Sequence, residues 1–374
     1  MLEFIDTDIT PLGTTLLVLF AISLIFLFRF YAKYYKVVGK QKKIPVSENK
    51  KPVSVIVSCK NEFEYIKQHL PFWLEQKYPN FEVVAVCDEQ DNELTHLLRS
   101  FQQRYPILKI VKISSKVNFF DEEKFALSIG AKEASYDYLI FTTISSRPTT
   151  EHCIDYMQSA FKDNTDVVIG HSCFDISNSN VFPRYLYADN AIRYIAPAIN
   201  GYPIVGSHRL LGYRKDFFLQ TGGYTNSYSL RTGVYDFLSA ANPNVTVQVS
   251  PESIVKIDES FDFNIWSKEE KNYFVAFSRS HSKAKKEEVT YRLSILSAYA
   301  SAIFFLMLTE QAWNSILLIF FLILVLAKNI VQLIFTAKAM KTVMERYVWV
   351  FAPLFELFCL PGIMFSFFRI KRKK

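Results

Sequence analysis

Three places in this sequence end an apolar run in polar side chains able to do chemistry: Asn61-Glu62, Asp88, and Thr143 to Arg147. In an open α/β sheet, ligands sit beyond the carboxyl ends of the strands, which makes such positions candidates for binding. The first two offer an amide and carboxylates. Each also has a plainer use, since Asn caps helices and Asp closes turns. The third is different. YLIFTTISSRPTT, residues 138 to 150, ends in uncharged hydroxyls followed by Arg147 and a proline. A site that grips phosphate through a divalent cation wants carboxylates at such a place, and this run has none.

The elements that must position these residues alternate regularly. VSVIVS at 53–58, EVVAVCD at 82–88, LKIVKIS at 108–114 and YLIFTT at 138–143 read as buried strands. Between them, 62–76, 92–104 and 121–135 read as amphipathic helices. Continuous apolar strands alternating with helices predict an α/β fold with a mostly parallel sheet covered on both faces, a nucleotide-binding architecture in shape.

Half of the 374 residues are hydrophobic, with 34 Phe and 21 Tyr, too apolar for an ordinary soluble chain. Leu12 to Phe28 is uncharged and just long enough to span a bilayer. Glu3, Asp6 and Asp8 precede it, whereas Arg29, Lys33, Lys36 and Lys40 follow it, so the chain beyond is expected on the cytoplasmic side. No small-residue cleavage site follows, which reads as a retained anchor. Two further spans, Leu293 to Leu308 and Trp313 to Phe335, form an expected hairpin. The last apolar stretch contains Pro353, Glu356 and a Pro361-Gly362 break between basic flanks, and reads as re-entrant or interfacial. Lys328, Asn329 and Gln332 read as interfacial anchors.

The expected organisation is an anchor at 1–31, a basic linker at 32–51, a cytoplasmic domain at 52–282, a transmembrane hairpin at 283–346, and a re-entrant segment with a basic tail at 347–374. The formal charge of +7 is accounted for by lysines at membrane exits, where anionic lipid is the partner, so nucleic acid is not expected. Five cysteines without CxxC or His-paired spacing indicate neither a disulfide framework nor a zinc site.

The ordered set VSVIVSCKNE, EVVAVCDEQDNE, EEKFALSIGAKEA, YLIFTTISSRP and GSHRLLGYRKDFFLQTGGY, after one anchor and before a membrane hairpin, resembles the inverting family 2 glycosyltransferases. The likeness is to the GT-A fold and to membrane-anchored members of bacterial envelopes. It implies binding of a nucleoside-diphosphate sugar near the membrane. Asn61, Glu62 and Asp88 would line the nucleoside pocket, with Lys124 beside them; His208 and Arg209 would border the acceptor side. The aromatic segments around FPRYLYADNAIRY either stack on sugar rings or pack the domain.

Three departures from the family pattern stand out. Its metal-binding Asp-x-Asp pair is replaced by Thr143 and Ser145, so no divalent metal or other cofactor is expected; Arg147 either takes over charge neutralisation or is a surface arginine. The acidic cluster that supplies the general base is reduced in RTGVYDFLSA to Asp236, a candidate base or a structural acid. Where a glutamine and an arginine-tryptophan pair are usual on a helix beside the membrane, Glu269, Asn272 and Tyr273 stand. The leading expectation is therefore a catalytically degenerate glycosyltransferase-like protein of envelope glycan synthesis, in a multi-pass arrangement in the bacterial inner membrane. It would act as scaffold or partner in a glycan-assembly or other envelope complex and still accept a nucleotide sugar. The alternative is an active, metal-independent transferase, and a structural subunit comes third.

Overall fold

The structure is a computed structural model that describes residues 11–59, 63–113, 121–174, 180–207, 209–225, 241–258, 267, 271–273, 275, 277, 282–308, 316–345 and 347–358. Its contacts divide the chain into two compact units, one formed by Met1–Lys40 with Ser282–Lys374, the other by Gln41–His281.

The central unit is built on a seven-stranded sheet. Strands β1 (Val53–Cys59), β2 (Phe81–Asp88), β3 (Leu108–Ile113) and β4 (Tyr138–Thr143) lie parallel in the order β3-β2-β1-β4. Helices α3 (Phe63–Leu74), α4 (Asn92–Arg104) and α5 (Glu122–Glu133) connect them. These elements match the sequence expectation because strands covered on both faces must be apolar throughout: Val55, Val57, Val83, Ala85 and Ile140 are fully buried. β8 (Leu210–Arg214) extends the sheet antiparallel to β4, followed by β6 (Val167–Ile169) and β9 (Val245–Val247). A second, three-stranded sheet joins β5 (Ser146–Pro148), β10 (Val255–Ile257) and β7 (Ser172–Phe174). In register, Ser58 stands opposite Thr143 and Cys59 opposite Cys87, so β1, β2 and β4 end along one rim.

Residues 41–51, expected as linker, run with this unit. The backbone N–H of Ser47 donates to Ser159 at 2.8 Å, Lys50 pairs with Asp155, and the Lys51 carbonyl accepts from the Tyr78 hydroxyl at 2.6 Å. Helices α6 (Cys153–Ser159), α7 (Val181–Ile199) and α8 (Lys215–Gln220) complete the unit. The aromatics of α7 face inward: Tyr185, Tyr187 and Tyr194 are buried, and the last bonds to His171 at 3.1 Å.

The other unit contains α1 (Pro11–Lys33), α2 (Tyr35–Gly39), α9 (Ser282–Leu308), α10 (Ile316–Thr342) and a short apolar helix, Val348–Phe358. Among the described residues three helices, Pro11–Gly39, Lys283–Met307 and Ile316–Thr342, are long and apolar enough to cross a membrane. Ser23 of α1 bonds Ser297 of α9 at 2.8 Å, and the rings of Phe30 and Tyr291 stack at 3.6 Å between centroids. One expectation is corrected here. Lys328 and Gln332 are not interfacial anchors but buried in the interior, where Lys328 pairs with Glu356 and donates to Gln332 at 2.7 Å. Glu356 also accepts from Tyr31 at 2.9 Å and from Tyr299 at 3.3 Å. Two opposite charges in apolar surroundings are tolerable only when they answer each other, which is why hydropathy alone misplaces both.

Candidate functional site

The rim where β1, β2 and β4 end carries the predicted residues that the structure describes. Asp88 ends β2 and accepts from the Gln90 N–H at 3.0 Å, the turn-closing use. The cap of α4 is Asp91, bonded to the Leu94 N–H at 2.9 Å. Asp121 caps α5 by accepting from the Lys124 N–H at 3.2 Å, which fixes where that helix begins. Lys124, in the first turn, is fully buried. Gly130 lets α5 lie close on the sheet, since a Cβ there would stand 2.5 Å from Ile56 Cγ2 and 3.0 Å from Val86 Cγ2. Asn61, Glu62, His208, Asp236 and Glu269 lie outside the described residues. Tyr273 is buried, with the Arg193 guanidinium 4.8 Å over its ring.

After β4 the chain folds into a knot of hydroxyls. Ser146 donates to the Thr143 carbonyl at 2.9 Å, and its Oγ lies 3.2 Å from Thr143 Oγ1 and 3.3 Å from Thr142 Oγ1. Thr142 in turn donates to the Arg209 carbonyl at 2.9 Å. Ser145, 3% exposed, accepts from Arg209 Nη1 at 2.9 Å, and Arg209 itself is 5% exposed. A buried cation thus lies against the second hydroxyl of the loop. Neutral hydroxyls bonded to one another beside a guanidinium do not fit a divalent cation, which needs charged oxygen donors and no cation next to it. Among the described residues no cluster of three His, Cys, Asp or Glu side chains could hold a metal.

Arg147 lies one strand position further. Its Nε is 2.9 Å from Asp258 Oδ2, at the end of the neighbouring β10, and its guanidinium stands 5.3 Å over the Phe72 ring. The same Asp258 oxygen is 2.9 Å from His69 Nε2. His69 Nδ1 lies 2.7 Å from the Ile144 carbonyl, which can only accept, so that nitrogen carries a hydrogen. Trp73, one turn along α3, donates to the Ser146 carbonyl at 3.3 Å. The loop after β4 is therefore held from α3, β10 and the segment before β8.

Residues 54–218 match the family model described as Glycosyl transferase family 2. Those residues form a family 2 glycosyltransferase-like domain. Among solved structures the chain is similar to the mannosyltransferase PcManGT from Pyrobaculum calidifontis, in complex with GDP-Man and Mn2+. That likeness has 14% identity, covers 93% of this chain and 98% of that one, and has a TM-score of 0.56. It is also similar to S. aureus TarS 1-349 in complex with UDP-GlcNAc, at 12% identity over 85% of this chain and 92% of that chain, with a TM-score of 0.45. A search of curated proteins found no match. The fold of the glycosyltransferase-like domain is GT-A, with the mostly parallel sheet expected from the strand pattern.

Sequence reasoning missed His69 and Asp258 in this glycosyltransferase-like domain, and it assigned Arg209 to the acceptor side without seeing its approach to Ser145. A signal for His69 existed. It interrupts the buried stripe Ile66, Leu70 and Trp73 of α3, and a polar residue on such a face needs a partner.

Proposed function

We propose that this protein binds a nucleoside-diphosphate sugar at the rim formed by β1, β2 and β4 without a divalent cation at the β4 loop. In this reading it is a catalytically degenerate glycosyltransferase of envelope glycan synthesis, serving as scaffold or partner. The observation that carries the proposal is the contact of Arg209 Nη1 with Ser145 Oγ at 2.9 Å. A guanidinium is permanently charged and presents a planar set of donors to phosphate oxygens, so it supplies without metal the positive charge a diphosphate needs. Asp88 and Lys124, with Asn61 and Glu62, would hold the nucleoside end. The similar mannosyltransferase structure holds GDP-Man, which supports a nucleotide sugar as the ligand class.

Three membrane-competent helices and the basic flank of α1 support a multi-pass inner-membrane protein with its main domain in the cytoplasm. The second reading, an active metal-independent transferase with Asp236 as base, is favoured by the same arginine, because a fixed cation also stabilises a leaving diphosphate.

Calorimetric titration with UDP, GDP and their sugars, with Mn2+ or EDTA, separates these readings. Micromolar affinity, about 8 kcal/mol, unchanged by EDTA and reduced at least about tenfold by Arg209→Ala, is the expected result, with no sugar transfer. Turnover that disappears in Asp236→Asn would replace the first reading by the second. No binding at millimolar nucleotide would overturn both.

A further inference from the structure

The helical unit holds a second concavity that the nucleotide reading does not use. A cavity of about 440 Å³ opens between α1 and α9. Arg29 and Lys33 of α1 line it, four residues apart and so on one face, and Lys283 and Lys286 of α9 line it from the other side. The carboxylate among these lining residues is Glu287, which pairs with Lys33. Four cations against one carboxylate make the lining strongly positive.

The remainder of the wall is apolar and aromatic. Phe26, Phe30, Tyr34 and Tyr291 contribute rings, and Phe30 and Tyr291 stack against each other across the two helices. Along α1, Phe26 and Lys33 are separated by about 10 Å at 1.5 Å per residue. Aromatic and cationic side chains alternate along α1 in the order Phe26, Arg29, Phe30, Lys33 and Tyr34, with Lys283 and Lys286 added from α9. They do so where the apolar run of α1 gives way to its basic flank, and Phe26 and Ile25 are exposed on the outer face just beyond.

Basic residues beside an apolar helix are ordinary in membrane proteins, where they fan out toward the lipid surface. Here they converge from two helices on one hollow. Bringing like charges together costs energy unless an anion sits among them, and the exposed Phe26 and Ile25 beside the hollow suit the upper part of an acyl chain. We propose that this cavity seats the phosphate headgroup of an anionic membrane lipid, held by Arg29, Lys283 and Lys286, with its chains running outward past Phe26. The proposal rests on the reading of α1 and α9 as membrane-spanning.

The full chain is purified in neutral detergent and titrated with phosphatidylglycerol or phosphatidylcholine, with native mass spectrometry as the readout. Incorporation into phosphatidylcholine nanodiscs is checked separately. The expected result is phosphatidylglycerol binding at least about tenfold tighter than phosphatidylcholine binding. Arg29→Gln/Lys286→Gln should lose about tenfold, equivalent to 1.4 kcal/mol. Lys40→Gln/Lys42→Gln, which removes two exposed charges outside the cavity, should stay within about twofold. Lys283→Gln is measured in parallel, so that poor folding of the double variant does not decide the matter. Equal affinity for the two lipids, unchanged binding in both cavity variants, or an equal loss in the Lys40/Lys42 control would overturn the proposal. Displacement of the lipid by millimolar inorganic phosphate would show a free-phosphate site and also overturn it. A chain that does not enter nanodiscs overturns the membrane reading itself.

Discussion

Arg147 of β5 reaches diagonally to Asp258, the residue just beyond β10, with the arginine Nε 2.9 Å from the carboxylate Oδ2. The cation that the sequence offers most openly to a diphosphate is thus engaged by an acid. That acid also lies 2.9 Å from His69 Nε2 without a hydrogen bond between them, while His69 Nδ1 donates to the Ile144 carbonyl and so fastens α3 to the loop after β4. Asp258→Asn keeps the shape and removes the charge. Charged hydrogen bonds of this kind contribute about 1.5–3 kcal/mol, which at this size lowers Tm by roughly 3–12 °C. Differential scanning fluorimetry reads it, and an unchanged Tm would show the contact to be idle.

Ser145→Asp tests whether the family's metal chemistry can be restored by one residue. Because Arg209 already lies at that hydroxyl, the new carboxylate should pair with the guanidinium instead of collecting a cation. The expected outcome is no Mn2+ binding by calorimetry and a nucleotide affinity at least about tenfold lower. Tight Mn2+ binding by this variant would show that Arg209 can withdraw from the loop.

Gly130→Ala would place a methyl group 2.5 Å from Ile56 Cγ2, and the β-branched isoleucine in a packed sheet has little room to turn. Overpacking of this sort costs about 1–3 kcal/mol. Since α5 carries Lys124, nucleotide affinity should fall together with the denaturant midpoint. A loss of stability without loss of binding would remove Lys124 from the nucleotide site.

Lys328 and Glu356 call for a double-mutant cycle. Removing one partner of a buried pair costs about 3–5 kcal/mol, whereas replacing both with apolar residues is often neutral. Lys328→Met and Glu356→Leu should each lower the thermal stability of the full chain in detergent, and the double variant should recover most of it. Additive losses would mean that the pair does not interact.

Burial pushes the Cys153 thiol well above its ordinary range, and burial followed by the nearby Asp155 does the same to the Tyr78 hydroxyl. Below about pH 8.5 both folded and unfolded chains keep these protons, so pH has no leverage through them. Above that, the unfolded chain releases a thiol proton that the folded chain retains. Stability should then fall by about 1.4 kcal/mol per pH unit for Cys153, with Tyr78 adding to the loss above about pH 10. Denaturant midpoints at about pH 7.5 and about pH 10 check this, and equal midpoints would contradict it. Native Cys153 should correspondingly resist thiol reagents until denaturant is added.

The parallel half of the fold was legible because strands β1 to β4 are buried on both faces and leave uninterrupted apolar runs. Asp91 and Asp121 mark helix starts by the ordinary rule for caps. The second sheet was not legible, since β5, β7 and β10 have three residues each and carry no period. The apolar span expected from Leu293 is shorter than α9 for a related reason. The first turns of α9, Ser282 to Arg292, are charged, and hydropathy registers only the apolar continuation from Leu293. At the candidate site, strand ends point to Asp88 and Arg147, and the structure has the first at the end of β2 and the second in β5, just after β4. His69, Asp258 and the inward approach of Arg209 depend on contacts between segments far apart in the chain, which no local pattern encodes.

The buried pair of α10 and the short C-terminal helix also sets an order of events during synthesis. Glu356 follows Lys328 by 28 residues, so the ribosome delivers the cation well before the carboxylate that answers it. On the membrane reading, α10 waits in the translocon or beside other proteins with an unsolved charge until Val348–Phe358 arrives. A chain cut short after Thr342 therefore leaves Lys328 with Gln332 and Tyr299 but without a counter-charge.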